Sequence, residues 1–413
     1  MKSPSIPQIE GLTIKNYRVI RDLELKDIKP YTVFLGPNGS GKSTIFDVFA
    51  FLSECFQSGL KTAWAKRGKF KELRTRGTDP KEPIVIELKY REKEKTPLIT
   101  YHISINEGEK GNPVISEEWL QWRRAERGKP FRFLDFKNGK GTVVSGDDPN
   151  ESDERIQESL ASPDMLAVNT LGQFEKHPRV SALRRFITGW SMSYISVNEL
   201  RMIHDAGPQE DLSPSGDNLV NVIQYLSENE PEKLEKIIRR LSNWIPRLDS
   251  VNHEYMSDGT MCLKFKDLPF DEPVIAKYVS DGTLRLLAYL VLLYSSSSAQ
   301  LIGIEEPENQ LHPHLLEILA EEFRHAATET QLFVTTHSPF FVNALQPEEV
   351  RVLYRDEQGF THAVSVSDMP EAMAFIEAGA QIGSLWMEGV FTAGDPLENS
   401  GMPKRTFQKK LIP

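Results

Sequence analysis

The residues best suited to chemistry fall in three short groups, at 36–44, 305–306 and 337. Gly36-Pro37-Asn38-Gly39-Ser40-Gly41-Lys42-Ser43, followed by Thr44, is a G-x-x-x-x-G-K-[ST] loop. Its glycines let backbone N–H groups close around phosphate oxygens, and a helix starting at its end adds a positive dipole. Lys42 then sets a point charge against β/γ-phosphates, and the Ser43 hydroxyl can ligate magnesium. Glu305 and Glu306 end the apolar run 301–304. A carboxylate there can hold magnesium, often through water, while its neighbour polarises an attacking water, so Glu305 is assigned to the metal and Glu306 to the base. Two adjacent carboxylates after a buried strand repel each other unless a cation or a proton transfer explains them. His337 follows another apolar run, 331–335, and can hydrogen-bond a terminal phosphate or the attacking water.

These groups need strands that end at them and helices that follow. Residues 12–35 alternate in short runs broken at Lys29-Pro30, which predicts two antiparallel strands and then a buried strand at 32–35. Ile45, Val48, Phe49, Leu52 and Phe56 recur at helical spacing directly after the loop. Strand, loop and helix therefore come in the order the motif demands. Residues 84–90, 98–105, 114–122 and 131–136 alternate as strands of an appended antiparallel sheet. The acidic stretch 146–159 reads as an exposed loop, and 166–174 as a strand ending at Gln173. Residues 219–241 read as helix interrupted near Pro231. His312, His314 and Glu308 have the residue types of a metal site, but Pro313 accounts for that segment as a helix start.

Composition bounds the class. The chain has 413 residues, 39% hydrophobic and 26% charged, enough for two to three units or one large α/β domain. Its longest apolar stretch, 286–294, is too short to span a bilayer, and the first ten residues lack a signal-peptide core. Only Cys55 and Cys262 occur, which excludes a disulfide framework and fits a reducing cytoplasm. A net charge of -10 leaves nucleic-acid contact to local patches. Two qualify: 61–81, with Arg67, Arg74 and Arg76, and the edge bearing Arg123, Arg124, Arg127, Lys129 and Arg132 near Trp119, Trp122 and Phe131. An ordinary solvated face fits either patch as well. The C-terminal segment 375–397 carries Trp386, Met387 and Phe391 among glycines, suiting either a docking surface or a closing helix and tail.

The loop GPNGSGKST, the segment YVSDGTLR at 278–285, the strand LIGIEEPENQLHP and the turn TTHSP follow one another in a telling order. In it the chain resembles ABC-type ATPases of the RecF, SMC and overcoming-lysogenization-defect (OLD) group. The resemblance implies an α/β P-loop NTPase head with an appended antiparallel β-sheet and a short helical insertion. It implies ATP and Mg2+ held between two copies, Lys42 and Ser43 of one facing Ser280 and Gly282 of the other. Gln173 resembles the glutamine that senses magnesium, and His337 the switch histidine. Glu305 stands where many relatives have Asp, and Ser280-Asp281-Gly282 replaces Ser-Gly-Gly.

The expected organisation is a first ATPase lobe at 1–175, a helical insertion with a β-hairpin at 176–270, a second lobe at 271–370, and a C-terminal helix and tail at 371–413. No heptad repeat predicts a long coiled coil, and no nuclease domain is expected after the closing strands. The resemblance points to a cytoplasmic, non-membrane ATPase that dimerises around ATP and acts in DNA repair or anti-phage defence. A nuclease or toxin would then be supplied by a separate effector chain, and DNA would meet the local basic patches. A nucleotide-binding subunit of a membrane transporter, or a non-hydrolysing ATP-dependent scaffold, are the alternatives.

Overall fold

The computed structural model describes residues 7–123, 128–295 and 299–391. Arg124, Arg127 and the last residues of the 375–397 segment lie outside these. The chain opens with β1 (Gln8–Tyr17) and β2 (Ile20–Leu25), an antiparallel pair, then β3 (Tyr31–Leu35). Every residue of β3 is buried, as in a strand covered on both faces. Helix α1 (Lys42–Ser58) follows the 36–41 loop, and α2 (Leu60–Lys66), which shares a core with α1, leads to α3 (Lys69–Leu73). Next come β4 (Ile84–Arg91), β5 (Leu98–Glu107), β6 (Pro113–Arg123), β7 (Phe131–Lys137), β8 (Lys140–Val144) and β9 (Arg155–Ser159). They complete an antiparallel sheet of order β2-β1-β4-β5-β6-β7-β8-β9. Ile86, Tyr101, Leu120 and Leu134 of this sheet share a core with Phe49, Leu52 and Phe56 of α1.

Two expectations are corrected here. Part of the 146–159 stretch is the strand β9, paired with β8. An edge strand is solvated along one side, so its polar composition imitates a loop. Residues 166–174 contain no strand; they hold the short helix α4 (Ala167–Leu171). The buried carboxylate of Glu118 on β6 accepts the N–H groups of Ala167 and Val168, which fixes the start of that helix.

Helix α5 (Pro178–Thr188) leads into β10 (Trp190–Ser193). Then α6 (Val197–Leu200), β11 (His204–Asp205), α7 (Leu219–Asn229) and α8 (Pro231–Trp244) form the helical part, α7 and α8 meeting at Pro231 as the spacing predicts. Strands β12 (Leu248–Tyr255), β13 (Thr260–Asp267) and β14 (Val274–Ile275) make a small antiparallel sheet with β11. The chain continues through α9 (Asp281–Tyr294), β15 (Leu301–Glu305), α10 (Pro313–Ala326), β16 (Gln331–Thr336) and α11 (Pro339–Val342). It closes with β17 (Val350–Arg355), β18 (Thr361–Ser365), α12 (Pro370–Glu377) and α13 (Ile382–Met387).

The second large sheet has the order β10-β15-β16-β3-β17-β18, parallel except for β18. Its register is what positions the chemistry. Ser193 lies opposite Ile304, Glu305 opposite Thr335, and Thr336 opposite Leu35, so four strands end level along one edge. In parallel α/β sheets the carboxyl edge is where ligands bind.

Trp386 and Phe391 are buried, with Met387 alone of that trio exposed, so α13 is a packed closing helix. It seats against α11 at Gly383, where a β-carbon would meet the Pro339 carbonyl at 2.0 Å. Cys55 and Cys262 are buried and free. Among the described residues no helix is long and apolar enough to cross a membrane.

Candidate functional site

The 36–43 loop lies between the end of β3 and the start of α1, braced from behind by β17 and β18. A β-carbon on Gly36 would stand 2.6 Å from the Leu353 carbonyl, and one on Gly41 would stand 2.4 Å from Thr361 Oγ1. Gly41 also has φ 107, in the left-handed region that favours glycine. Asn38 and Gly39 form the exposed tip, and Thr44 is half-buried in the first helical turn. Lys42 is almost fully buried, its Nζ donating to the carbonyls of Gly36 (2.8 Å) and Pro37 (3.1 Å). Burial lowers its pKa, and Glu306, Glu308 and Glu305 oppose that shift. The Ser40 hydroxyl is buried with no hydrogen-bond partner among the described residues.

Glu305 ends β15. Burial pushes its carboxyl up, reinforced by the negative charges of Glu306 and Asp47 and opposed by Lys42. At Glu306 the backbone enters the left-handed region (φ 44), which for a non-glycine residue costs free energy and concentrates at functional sites. Its N–H donates to the Thr335 carbonyl at 2.9 Å, and its side chain accepts from Asn309 Nδ2 at 3.2 Å. Glu306 Oε1 lies 3.5 Å from His337 Nδ1. The end of β15 and the turn after β16 therefore meet at two side chains the sequence had singled out.

Ser43 and Glu305 line one cleft of about 880 Å³ together with Asp47, Ser193 and Tyr194. Sequence reasoning missed the last three. Asp47 lies one turn after Ser43 on α1 and is held by Tyr17 Oη (2.6 Å), Arg67 Nε (2.8 Å) and Arg18 (2.9 Å). The i, i+4 spacing from Ser43 was the only signal for it.

Gln173 is not brought to this cleft. It lines a separate depression with Arg184 and Arg185, and its side chain donates to the Asn169 carbonyl. The segment that does end beside Glu305 is β10, which finishes at Ser193. Ser280 caps α9, its Oγ accepting from the Thr283 N–H at 3.2 Å, and it is exposed. Gly282 abuts the neighbouring loop, where a β-carbon would come 3.2 Å from the Gln310 carbonyl. Neither Ser280 nor Gly282 lines the cleft that contains Ser43.

Four of the eight cations of the first basic patch are in ion pairs. Arg67 is bound to Asp47 and Glu54, Lys66 to Glu54, Lys61 to Asp164, and Arg76 to Glu72. In the second, Trp119 is covered by the stacked ring of His102 at 4.6 Å and the Arg132 guanidinium at 4.4 Å, and Trp122 is buried. His312 caps α10, accepting from the His314 N–H. Among the described residues no three His, Cys, Asp or Glu side chains group to hold a metal.

The residues present fit a nucleotide with magnesium. The 36–41 loop packs so closely on β17 and β18 that only glycine fits at 36 and 41, and within it the buried Ser40 hydroxyl has no hydrogen-bond partner among the described residues, as a group awaiting a phosphate oxygen would. Glu306 and Asp47 add negative potential at the buried Glu305 carboxyl, which a divalent cation there would relieve.

A model of the family described as "AAA domain, putative AbiEii toxin, Type IV TA system" matches residues 31–343. No curated protein matches the chain. Among solved structures, an SMC head bound to the C-winged helix domain of ScpA is 13% identical with a TM-score of 0.53, covering 86% of this chain and 97% of its own. The SMC head domain from Thermotoga maritima is 14% identical (TM-score 0.46, covering 87% and 98%). The SMC head domain with an extended coiled coil from Pyrococcus furiosus, bound to the C-terminal domain of ScpA, is 12% identical (TM-score 0.48, covering 90% and 99%). At such identities the first of these likenesses is one of fold.

Proposed function

The chain belongs to that AAA-domain family of AbiEii-toxin, Type IV TA description, and on this premise we propose that it hydrolyses ATP with magnesium and works as a two-copy switch. Its fold is that of a P-loop ATPase head with an appended antiparallel sheet. One observation carries the reading: the glycine loop, the Glu305-Glu306 pair and His337 lie at the level carboxyl ends of β3, β15 and β16.

Backbone N–H groups of the loop and Lys42 bind the β/γ-phosphates, and the Lys42 ammonium releases its loop carbonyls to do so. Ser43 and Glu305 would hold magnesium, which supplies neutralisation of phosphate charge when bound. Glu306 takes the proton of the attacking water, and His337 beside it donates a hydrogen bond to that water or to the terminal phosphate. The exposed Ser280 and the half-buried Gly282, at the start of α9, would complete the site of a second copy, in a head-to-head dimer around ATP. The family description, of a putative AbiEii toxin in a Type IV TA system, favours a defence role over DNA repair. A separately encoded toxin or nuclease effector and a cytoplasmic location belong to the proposal and not to that description.

The test is phosphate release with magnesium and ATP, comparing the native protein with Glu306→Gln. Native turnover that the variant loses, with ATP binding retained, supports the reading. No native turnover with any nucleotide, or unchanged turnover in the variant, refutes it.

A further inference from the structure

Glu308 lies outside the chemistry described so far, yet it is the most deeply placed carboxylate at this edge, 9% exposed. It sits on the loop between β15 and α10 and reaches across to the turn that follows β16. Its Oε1 accepts the Thr336 hydroxyl at 2.8 Å and the His337 N–H at 2.8 Å, and lies 3.3 Å from His337 Nδ1. The Thr336 hydroxyl, having donated to Glu308, accepts the Ser338 N–H at 3.0 Å. One carboxylate oxygen thus ties down three consecutive residues, 336, 337 and 338, directly or through one hydroxyl. His337, its side chain 41% exposed, lies between the last residue of β16 and Ser338, the cap of α11, and its own N–H is held by Glu308.

We propose that Glu308 is a positioning residue, which holds the 336–338 turn so that the His337 ring faces Glu306. This rests on the ATPase reading only for its consequence in turnover; the hold itself exists without nucleotide. Glu308 Oε2 makes no hydrogen bond among the described residues, so the work of the side chain is done by the oxygen on the turn. A glutamine oxygen can accept the same two donors. An alanine leaves the Thr336 hydroxyl and the His337 N–H with no acceptor.

The experiment uses the full chain and three proteins: native, Glu308→Gln and Glu308→Ala. Hydrogen exchange at the His337 amide, measured without nucleotide, should be slow in the native protein and in Glu308→Gln, and at least about 10-fold faster in Glu308→Ala, as a lost ~1.4 kcal/mol hydrogen bond requires. In ATP turnover, Glu308→Ala should lose about 100-fold in kcat with KM within threefold, since a misplaced group costs chemistry rather than binding, while Glu308→Gln recovers most of the loss. Equal His337 exchange in all three proteins would overturn the proposal. So would Glu308→Gln turning over as poorly as Glu308→Ala, which would mean the charge acts and the hold does not. If the native protein shows no ATP turnover, the ATPase reading fails, and the exchange measurement still decides the role of Glu308.

Discussion

Gly41 and Thr361 touch across almost the whole length of the chain: the Thr361 hydroxyl donates to the carbonyl of Ser40 at 2.9 Å and occupies the space where a Gly41 β-carbon would go. The phosphate loop is thus closed from behind by β18, the edge strand of the sheet and its last in chain order. Loop shape depends on a contact made only when the sheet is complete.

Gly41→Ala should therefore abolish ATP binding and lower stability by about 2–4 kcal/mol, from backbone strain at φ 107 together with the 2.4 Å clash. Gly39→Ala, at φ 81 with open space around it, should cost only about 1–2 kcal/mol of strain. Titration calorimetry with ATP and thermal melting of both variants check the contrast; equal effects would mean that Thr361 does not brace the loop.

Lys42→Ala should lose ATP affinity, because the loop keeps its N–H groups but not the charge on the phosphates. Glu306→Gln should bind ATP normally and lose at least about 100-fold in kcat, so that the two-copy closed form accumulates. Ser280→Arg should leave ATP bound to single copies, since a bulky cation obstructs the exposed start of α9. Mixing Lys42→Ala with Ser280→Arg places both lesions in one composite site and none in the other, so some activity should return. Mixed dimers that form and stay inactive would refute the shared site.

Arg67 belongs to the interior of the fold. Its side chain is 11% exposed and joins Asp47 to Glu54, so Arg67→Glu should destabilise by about 3–5 kcal/mol by leaving two carboxylates facing a third. Arg76→Glu, with its side chain 91% exposed, should shift stability by less than about 0.5 kcal/mol. Urea unfolding separates them. A test of nucleic-acid contact at this patch accordingly uses Arg74 and Arg76, with loss of salt dependence as its readout.

Glu118 makes stability depend on pH. Burial pushes its carboxyl up to about 7, against the pull of the Ala167 and Val168 N–H groups and the Tyr101 hydroxyl. Between about 4.5, the ordinary value for the unfolded chain, and about 7, the folded protein keeps a proton that the unfolded chain has released. The contribution of this carboxyl to stability therefore falls as pH rises through that window, by about 3 kcal/mol, and is flat above it. Unfolding free energies at pH 5 and pH 8 should differ less in Glu118→Gln than in the native protein; an identical pH slope would refute the assignment.

The sequence by itself determined what each segment carries in its own pattern. A glycine loop between a buried strand and a helical stripe, two carboxylates closing an apolar run, and a histidine closing another are local signals, because strand, turn and helix-start chemistry are settled within a few residues. The strands 84–90 and 98–105 and the break at Pro231 were legible for the same reason. What the sequence left open depended on partners distant in the chain. Gln173 read as a strand end, but Glu118 turns that segment into a helix, and the parallel register of β10 with β15 puts Ser193 beside the site instead. Arg67 read as part of a basic face, but Asp47 and Glu54 surround it, and the segment of Trp386 suited either a docking surface or a closing helix, which the packing of α13 on α11 decides for the helix. Glu308 gave no sign of its acceptor role, since the donors it serves, at 336 and 337, arrive on another strand. Charge pairing, burial and register are properties of which surfaces meet, and only the closed sheet decides that.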